Sequence, residues 1–164
     1  MSVKPFALLM LALCTSAAAQ LVPTNPDWKE ADAPTPPAVR RDGLLPIELI
    51  GSELRWGVDP ASISVGQDGI VRYVVVATSP SGAVNAFYEG LRCTHSQVKV
   101  YARFTADGPW TQARDPEWRP LNGNGSRHSH EIAKAGACQG HAPNGPASKI
   151  VRELGGTPTW WGSR

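Results

Sequence analysis

The side chains able to do chemistry fall into three groups. The first surrounds Glu89. In the run Ala83–Cys93, strand alternation puts Asn85, Phe87, Glu89, Leu91 and Cys93 on one face and Val84, Ala86, Tyr88 and Arg92 on the other. A carboxylate between Phe87 and Leu91 is partly buried and requires a partner. Arg72 or Arg103 on a neighbouring strand would supply one, as a cross-strand ion pair that holds register. The functional reading of Glu89 is a general acid or base in a cleft, the chemistry of a hydrolase. Tyr88, Arg92 and Asn85, with Glu89 and Arg72, form the candidate ligand-binding set, against the simpler reading of core packing and edge hydrogen bonds. The second group is His95, His128, His130 and His141. His128 and His130 point about 200° apart on a helix, so a regular helix face cannot offer both to one ion. On a loop, joined by His141 or His95, they could form a metal site; otherwise they are loop or solvent-exposed histidines. The third group is the six tryptophans. Trp56, Trp110 and Trp118 read as core or turn anchors, while Trp28, Trp160 and Trp161 either dock a partner or fold back on the domain. There is no Gly-x-Ser-x-Gly, no His-Glu-x-x-His and no phosphate-binding glycine loop. No catalytic residue, metal or cofactor is therefore assigned.

Cysteine usage depends on the N-terminus. Residues 1–19, MSVKPFALLMLALCTSAAA, carry Lys4, an apolar run from Phe6 to Cys14 and the small residues Ala17-Ala18-Ala19. This is the pattern of a secretory leader cleaved after Ala19. As a helix the apolar run would span about 14 Å, roughly half a bilayer core, so no transmembrane anchor is expected in the mature form. Leu13 is too bulky for a lipidation signal at Cys14. Cleavage leaves Cys93 and Cys138, which in an oxidising compartment have one possible pairing. Such a bridge would stabilise the fold by roughly 4 kcal/mol in the chain-entropy model. The alternative is two free thiols, one of them reactive, for which no Cys-His-Asn pattern exists.

The elements that must position these groups are short. Residues 20–43 hold Pro23, Pro26, Pro34, Pro36 and Pro37 with little periodicity, and read as a flexible arm, extended or disordered, that Trp28 could dock locally. The globular domain is expected over 44–156. Leu44–Ile47, Arg55–Val58 and Ser62–Val65 read as short extended pieces, and Gly66–Gly69 as a tight turn. Ile70–Thr78 is β-branched and apolar on both faces except at Arg72, as suits a central strand. Ala83–Cys93 and Gln97–Phe104 follow, the latter with Val98, Val100, Ala102 and Phe104 on one face and Gln97, Lys99, Tyr101 and Arg103 on the other. A helix capped by Ser126 runs to about Ala137. A second begins at Pro146, with an Ala147, Ile150, Val151 and Leu154 stripe and a stop at Gly155-Gly156. The expected fold is α+β: an antiparallel β-meander sheet packed on one face by C-terminal helices. Residues 157–164 form a C-terminal tail.

Composition sets outer limits. The balance of 16 Lys+Arg against 14 Asp+Glu gives no basic footprint for nucleic acid. A hydrophobic content of 41% with 18% charged residues is too apolar for wholesale disorder. Gly 16 and Pro 15 favour turns over long helices and exclude a coiled coil.

Several segments resemble the cryptic neisserial protein family of exported bacterial proteins. They are Asp59–Gly66 (DPASISVG), Asp68–Tyr73 (DGIVRY), Ser79–Ala83 with Asn85, Tyr88–Cys93 (YEGLRC) and Trp118-Arg119-Pro120. Leu44-Leu45-Pro46 resembles the family's opening segment and Cys138 its second cysteine. The resemblance covers about 44–140, leaving the Pro-rich arm and the Trp160-Trp161 tail outside. It implies a cell-envelope protein of unassigned biochemical function and transfers no catalytic set. The combined expectation is a secreted protein of the periplasm or outer cell envelope. It would act as a non-enzymatic binding or accessory module toward an envelope protein or cell-wall component. A Glu89 hydrolase and a histidine-loop metal protein are the alternatives.

Overall fold

The computed structural model describes residues 27–105, 108–123, 125 and 127–156. The expected leader, the start of the arm, the Ser126 cap and the tail with Trp160 and Trp161 lie outside the described residues. Strands β1 (Leu45–Ile47) and β2 (Arg55–Val58) open the domain. A 3-10 turn at Pro60–Ser62 follows, entered by Asp59, whose side chain accepts the Ala61 amide at 3.0 Å. Then come β3 (Ser64–Val65), β4 (Val71–Thr78), β5 (Val84–Arg92) and β6 (Gln97–Thr105). Two short strands, β7 (Thr111–Gln112) and β8 (Arg119–Pro120), both pair with β6. Helix α1 (Arg127–Ile132) widens into a π-type turn at Ala133–Ala137. The small ladder of β9 (Cys138–Gln139) and β10 (Ala142–Pro143) leads to α2 (Ala147–Gly156).

The main sheet has the order β1-β2-β4-β5-β6-β7, all antiparallel, with β3 added to β4 and β8 to β6. The fold is therefore the expected α+β meander, and its C-terminal helices contact β1. Ile132, Ala133 and Ala137 from the α1 region and Ile150 and Leu154 from α2 are buried with Val71, Tyr73, Val75 and Leu91 of the sheet. Val151 is half-buried at the edge of the stripe.

Because β4 is apolar on both faces, the second face also needs a cover. It comes from the Pro-rich arm. Residues 27–43 are irregular, as their composition requires, but they are not a free arm. Ala33 and Val39 pack against a second cluster formed by Val74, Val76, Ala86, Tyr88 and Tyr101. Trp28 lies 3.6 Å from the Arg92 guanidinium and donates through Nε1 to the Asp68 carbonyl at 2.8 Å.

The alternation expected along β6 fails at a β-bulge. Tyr88 faces Ala102 and Glu89 faces Val100, which leaves Tyr101 as the extra residue. Beyond it the faces exchange: Val98 packs with the helices, whereas Ala102 and Phe104 join Tyr101 on the arm side. Tyr101 lies so close over Gly90 that a Cβ there would stand 2.6 Å from the phenol oxygen.

Cys93 and Cys138 are joined, with Cα atoms 5.7 Å apart, tying the end of β5 to the exit of α1 across 45 residues. Replacing both with alanine is expected to lower the unfolding free energy by about 2–5 kcal/mol, measured by urea denaturation. An unchanged midpoint would show that helix packing alone holds this corner.

A buried carboxylate beneath an aromatic cleft

Glu89 sits in the middle of β5 on the helix-covered face and is 1% exposed. Tyr73 is its register partner on β4 and donates its phenol proton to Oε2 at 2.9 Å. From α1, Ser129 donates to the same oxygen at 2.9 Å, while His128 Nε2 lies 2.8 Å from Oε1. Three groups from two other elements thus converge on one carboxylate, in keeping with the rule that a buried charge must be hydrogen-bonded. Burial, with the Glu89 charge adding to it, pushes the Tyr73 phenol well above its ordinary pKa.

Above this cluster lies a layer of rings. His128 stacks on Trp56 with centroids 4.4 Å apart and planes 8° from parallel, and on Phe87 at 5.6 Å. Trp56 is itself oriented by Nε1 donating to Ser52 Oγ at 3.1 Å. The Arg103 guanidinium stands over Phe87 at 5.6 Å. Together these rings floor a cleft of about 540 Å³, with Leu49, Val100 and Pro116 adding apolar wall and Arg119, Asp115 and Glu117 at the rim. A wider hollow of about 710 Å³ lies beside it, between the end of β1 and the outer side of α1, but no Trp, Tyr or Phe lines it, and His130 is its one aromatic ring. Arg127 borders both, donating to the Ile50 carbonyl at 2.6 Å.

The expected ligand set is divided by the sheet. Asn85 and Glu89 share the helix-side register of β5, while Tyr88, Arg72 and Arg92 lie under the arm. The expected ion pair of Glu89 with Arg72 or Arg103 is replaced by the Tyr73, Ser129 and His128 bonds. Arg72 points to the opposite face and pairs with Asp68 at 2.7 Å, also donating to the Ala31 carbonyl at 3.0 Å. Burial alone would raise the Asp68 carboxyl, but Arg72 and the Ala31 and Ile70 amides hold it below its usual value. The histidines do not gather. His128 is buried rather than in an exposed loop, His95 bonds Thr94 at 2.9 Å, His130 lies 3.6 Å from Glu131, and His141 is exposed. Among the described residues, no three His, Cys, Asp or Glu side chains are placed to share an ion.

The sequence does not single out Tyr73 or Ser129 as site residues, and it offers His128 only as a loop metal ligand or a solvent-exposed histidine. Tyr73 was within reach, because counting back along both strands from the Ser79–Ala83 turn sets it opposite Glu89. Nothing local in the sequence says that α1 lowers Ser129 and His128 onto that point.

The model of the CNP1-like family matches residues 23–155, which include the sheet, the Glu89 cluster and nearly all of both helices. The chain belongs to this family. The match begins within the Pro-rich arm, so the arm is part of the CNP1-like unit and not an appendage outside it. Cryptic neisserial protein 1 of Neisseria gonorrhoeae (strain ATCC 700825 / FA 1090) is 27% identical over 135 residues, 71% of this chain and 66% of that protein. The chain thus spans just under two thirds of that relative's length. No solved structure matches the chain.

All three tyrosines of this CNP1-like chain, Tyr73, Tyr88 and Tyr101, have phenols raised above the usual value, burial being the first cause in each. Folding keeps these phenols protonated above the pH at which an unfolded tyrosine ionises. Their contribution is complete below about pH 10 and is lost as pH climbs beyond it. Absorbance titration at alkaline pH is expected to show no tyrosinate step until the protein unfolds, and then all three together. A reversible step near pH 10 in folded protein would contradict the burial of these side chains.

Proposed function

We propose that the protein is exported and acts in the cell envelope as a non-enzymatic binding module. In this reading it presents the Trp56–Phe87–His128 cleft to an envelope protein or cell-wall component. The observation that carries the reading is the state of Glu89. Its two oxygens are engaged by three internal groups and its exposure is 1%, so the carboxyl at the cleft floor serves the fold and is not offered to a substrate. What remains accessible is an apolar, aromatic floor with a rim of mixed charge, Arg103 and Arg119 beside Asp115 and Glu117, a composition suited to adhesion. Export is supported by the leader pattern of residues 1–19 and by the Cys93–Cys138 bridge, which belongs in an oxidising compartment.

The test combines location with binding. The full chain, expressed in a bacterium, is expected in the envelope fraction with a mature N-terminus at Gln20. The purified protein is expected to co-sediment with isolated envelope fragments. Arg103→Glu/Arg119→Glu, at exposed rim positions, should weaken co-sedimentation by about tenfold, equivalent to about 1.4 kcal/mol, with an unchanged melting temperature. Soluble fragments released from those envelopes in a Glu89-dependent manner would instead establish the hydrolase reading.

A further inference from the structure

The arm across the second face has a regularity of its own. Between residues 30 and 39, burial repeats every third position: Glu30 and Ala33 are half-buried, Pro36 is buried and Val39 is half-buried, while the pairs between them are exposed. Three residues per turn is the period of a polyproline II ribbon, and at 3.1 Å per residue the segment spans about 28 Å. Ala33 and Val39 rest on the face that carries Tyr88, Tyr101, Phe104 and Trp110. Trp110 Nε1 donates to the Pro37 carbonyl at 2.9 Å. At the other end, Glu30 fits a cationic socket, paired with Lys99 and accepting from Tyr101 Oη at 2.8 Å and Trp118 Nε1 at 3.1 Å. An aromatic trough, an indole N–H donated to a ribbon carbonyl and a charged socket at one end make up the chemistry by which proline-rich peptides are recognised. Here the chain supplies both groove and ligand.

We propose that this face is a binding groove for an acid-headed, proline-rich ribbon, and that besides its own arm it takes the arm of a second copy of this chain. The sequence seen to fit the groove is the chain's own. No residue of 27–43 takes part in the strand ladders, so the arm can leave without unravelling the sheet. The link to β1 is the exposed stretch Arg40–Gly43, where Gly43 has φ 68°, and this turn decides whether the arm folds back. Exchange between two copies would preserve every arm contact. The tethered arm competes at an effective concentration of order millimolar, so straightening the turn is what favours exchange.

The experiment is Asp42→Pro/Gly43→Pro in the full mature chain. Proline fixes φ near −65° and pushes the residue before it toward extended backbone, the opposite of what Gly43 adopts. Sedimentation is expected to give twice the monomer mass. The dimer should revert to monomer on adding Glu30→Ala/Pro36→Ala, or on adding an excess of a synthetic peptide of residues 27–41. A folded monomer overturns the proposal; if that monomer binds the labelled peptide, the groove takes its ribbon from something other than a second copy. A dimer indifferent to both the peptide and the two substitutions also overturns it. Should the double-proline chain not fold, the same peptide added during refolding is expected to restore a cooperative melt, and failure to do so overturns the proposal.

Discussion

A carboxylate at the centre of a sheet face has to be satisfied from within, and satisfying Glu89 fixes where α1 can lie. Tyr73 donates from the adjacent strand, but one phenol does not saturate two oxygens. Ser129 and His128 complete the set, and their adjacency on α1 sets the rotation of that helix over the sheet. With the helix so placed, Ile132, Ala133 and Ala137 fall onto the hydrophobic core, and Cys138 meets Cys93 at the end of the same strand that carries Glu89. The ring stack of Trp56, His128 and Phe87 follows as well, because His128 brings its imidazole flat against Trp56 while bonding the carboxylate. The cleft floor is therefore a by-product of the polar anchor beneath it.

The opposite face meets a similar demand by different means. Val74, Val76 and Ala86 offer a surface that water cannot be left to cover, and among the described residues both helices are committed to the other face. A proline-rich segment is suited to the task. It gives up little conformational entropy on docking, and where it lacks an N–H there is no donor left unsatisfied under a non-ladder cover. Besides the apolar contacts of Ala33 and Val39, it is held at discrete polar points: Glu30 in the Lys99 socket, Asp68 bridging Arg72 and the Ala31 amide, and Trp28 on Arg92. The sheet is thus clamped by a covalent and packed layer on one side and by a point-attached ribbon on the other.

Much of this architecture is written in local patterns. The β-branched run of β4, the turn residues around Ser79 and Gly66, and the Ala147, Ile150 and Leu154 stripe each specify an element whose tertiary context agrees with its propensity. The residues of the Glu89 cluster were only half visible. That Glu89 is buried follows from its neighbours Phe87 and Leu91, but its partners do not. An arginine is the generic answer for a buried carboxylate, and here a tyrosine, a serine and a histidine take its place. The bulge at Tyr101 was invisible because an extra residue leaves a chain that still alternates on paper; the close approach over Gly90 is its structural trace. The docking of the arm is hidden for a related reason. Its burial has period three, neither helix nor strand, so the sequence reads only as an extended or disordered arm with a local dock at Trp28.

Glu89 is the anchor of this fold, and urea unfolding of Glu89→Ala against the unsubstituted protein measures how much it holds. Removing the carboxylate strands the Tyr73 and Ser129 hydroxyls and the His128 ring without their common partner. The unfolding free energy is then expected to fall by about 3–5 kcal/mol. A variant that unfolds within about 0.5 kcal/mol of the parent, as an ordinary surface substitution does, would contradict the account.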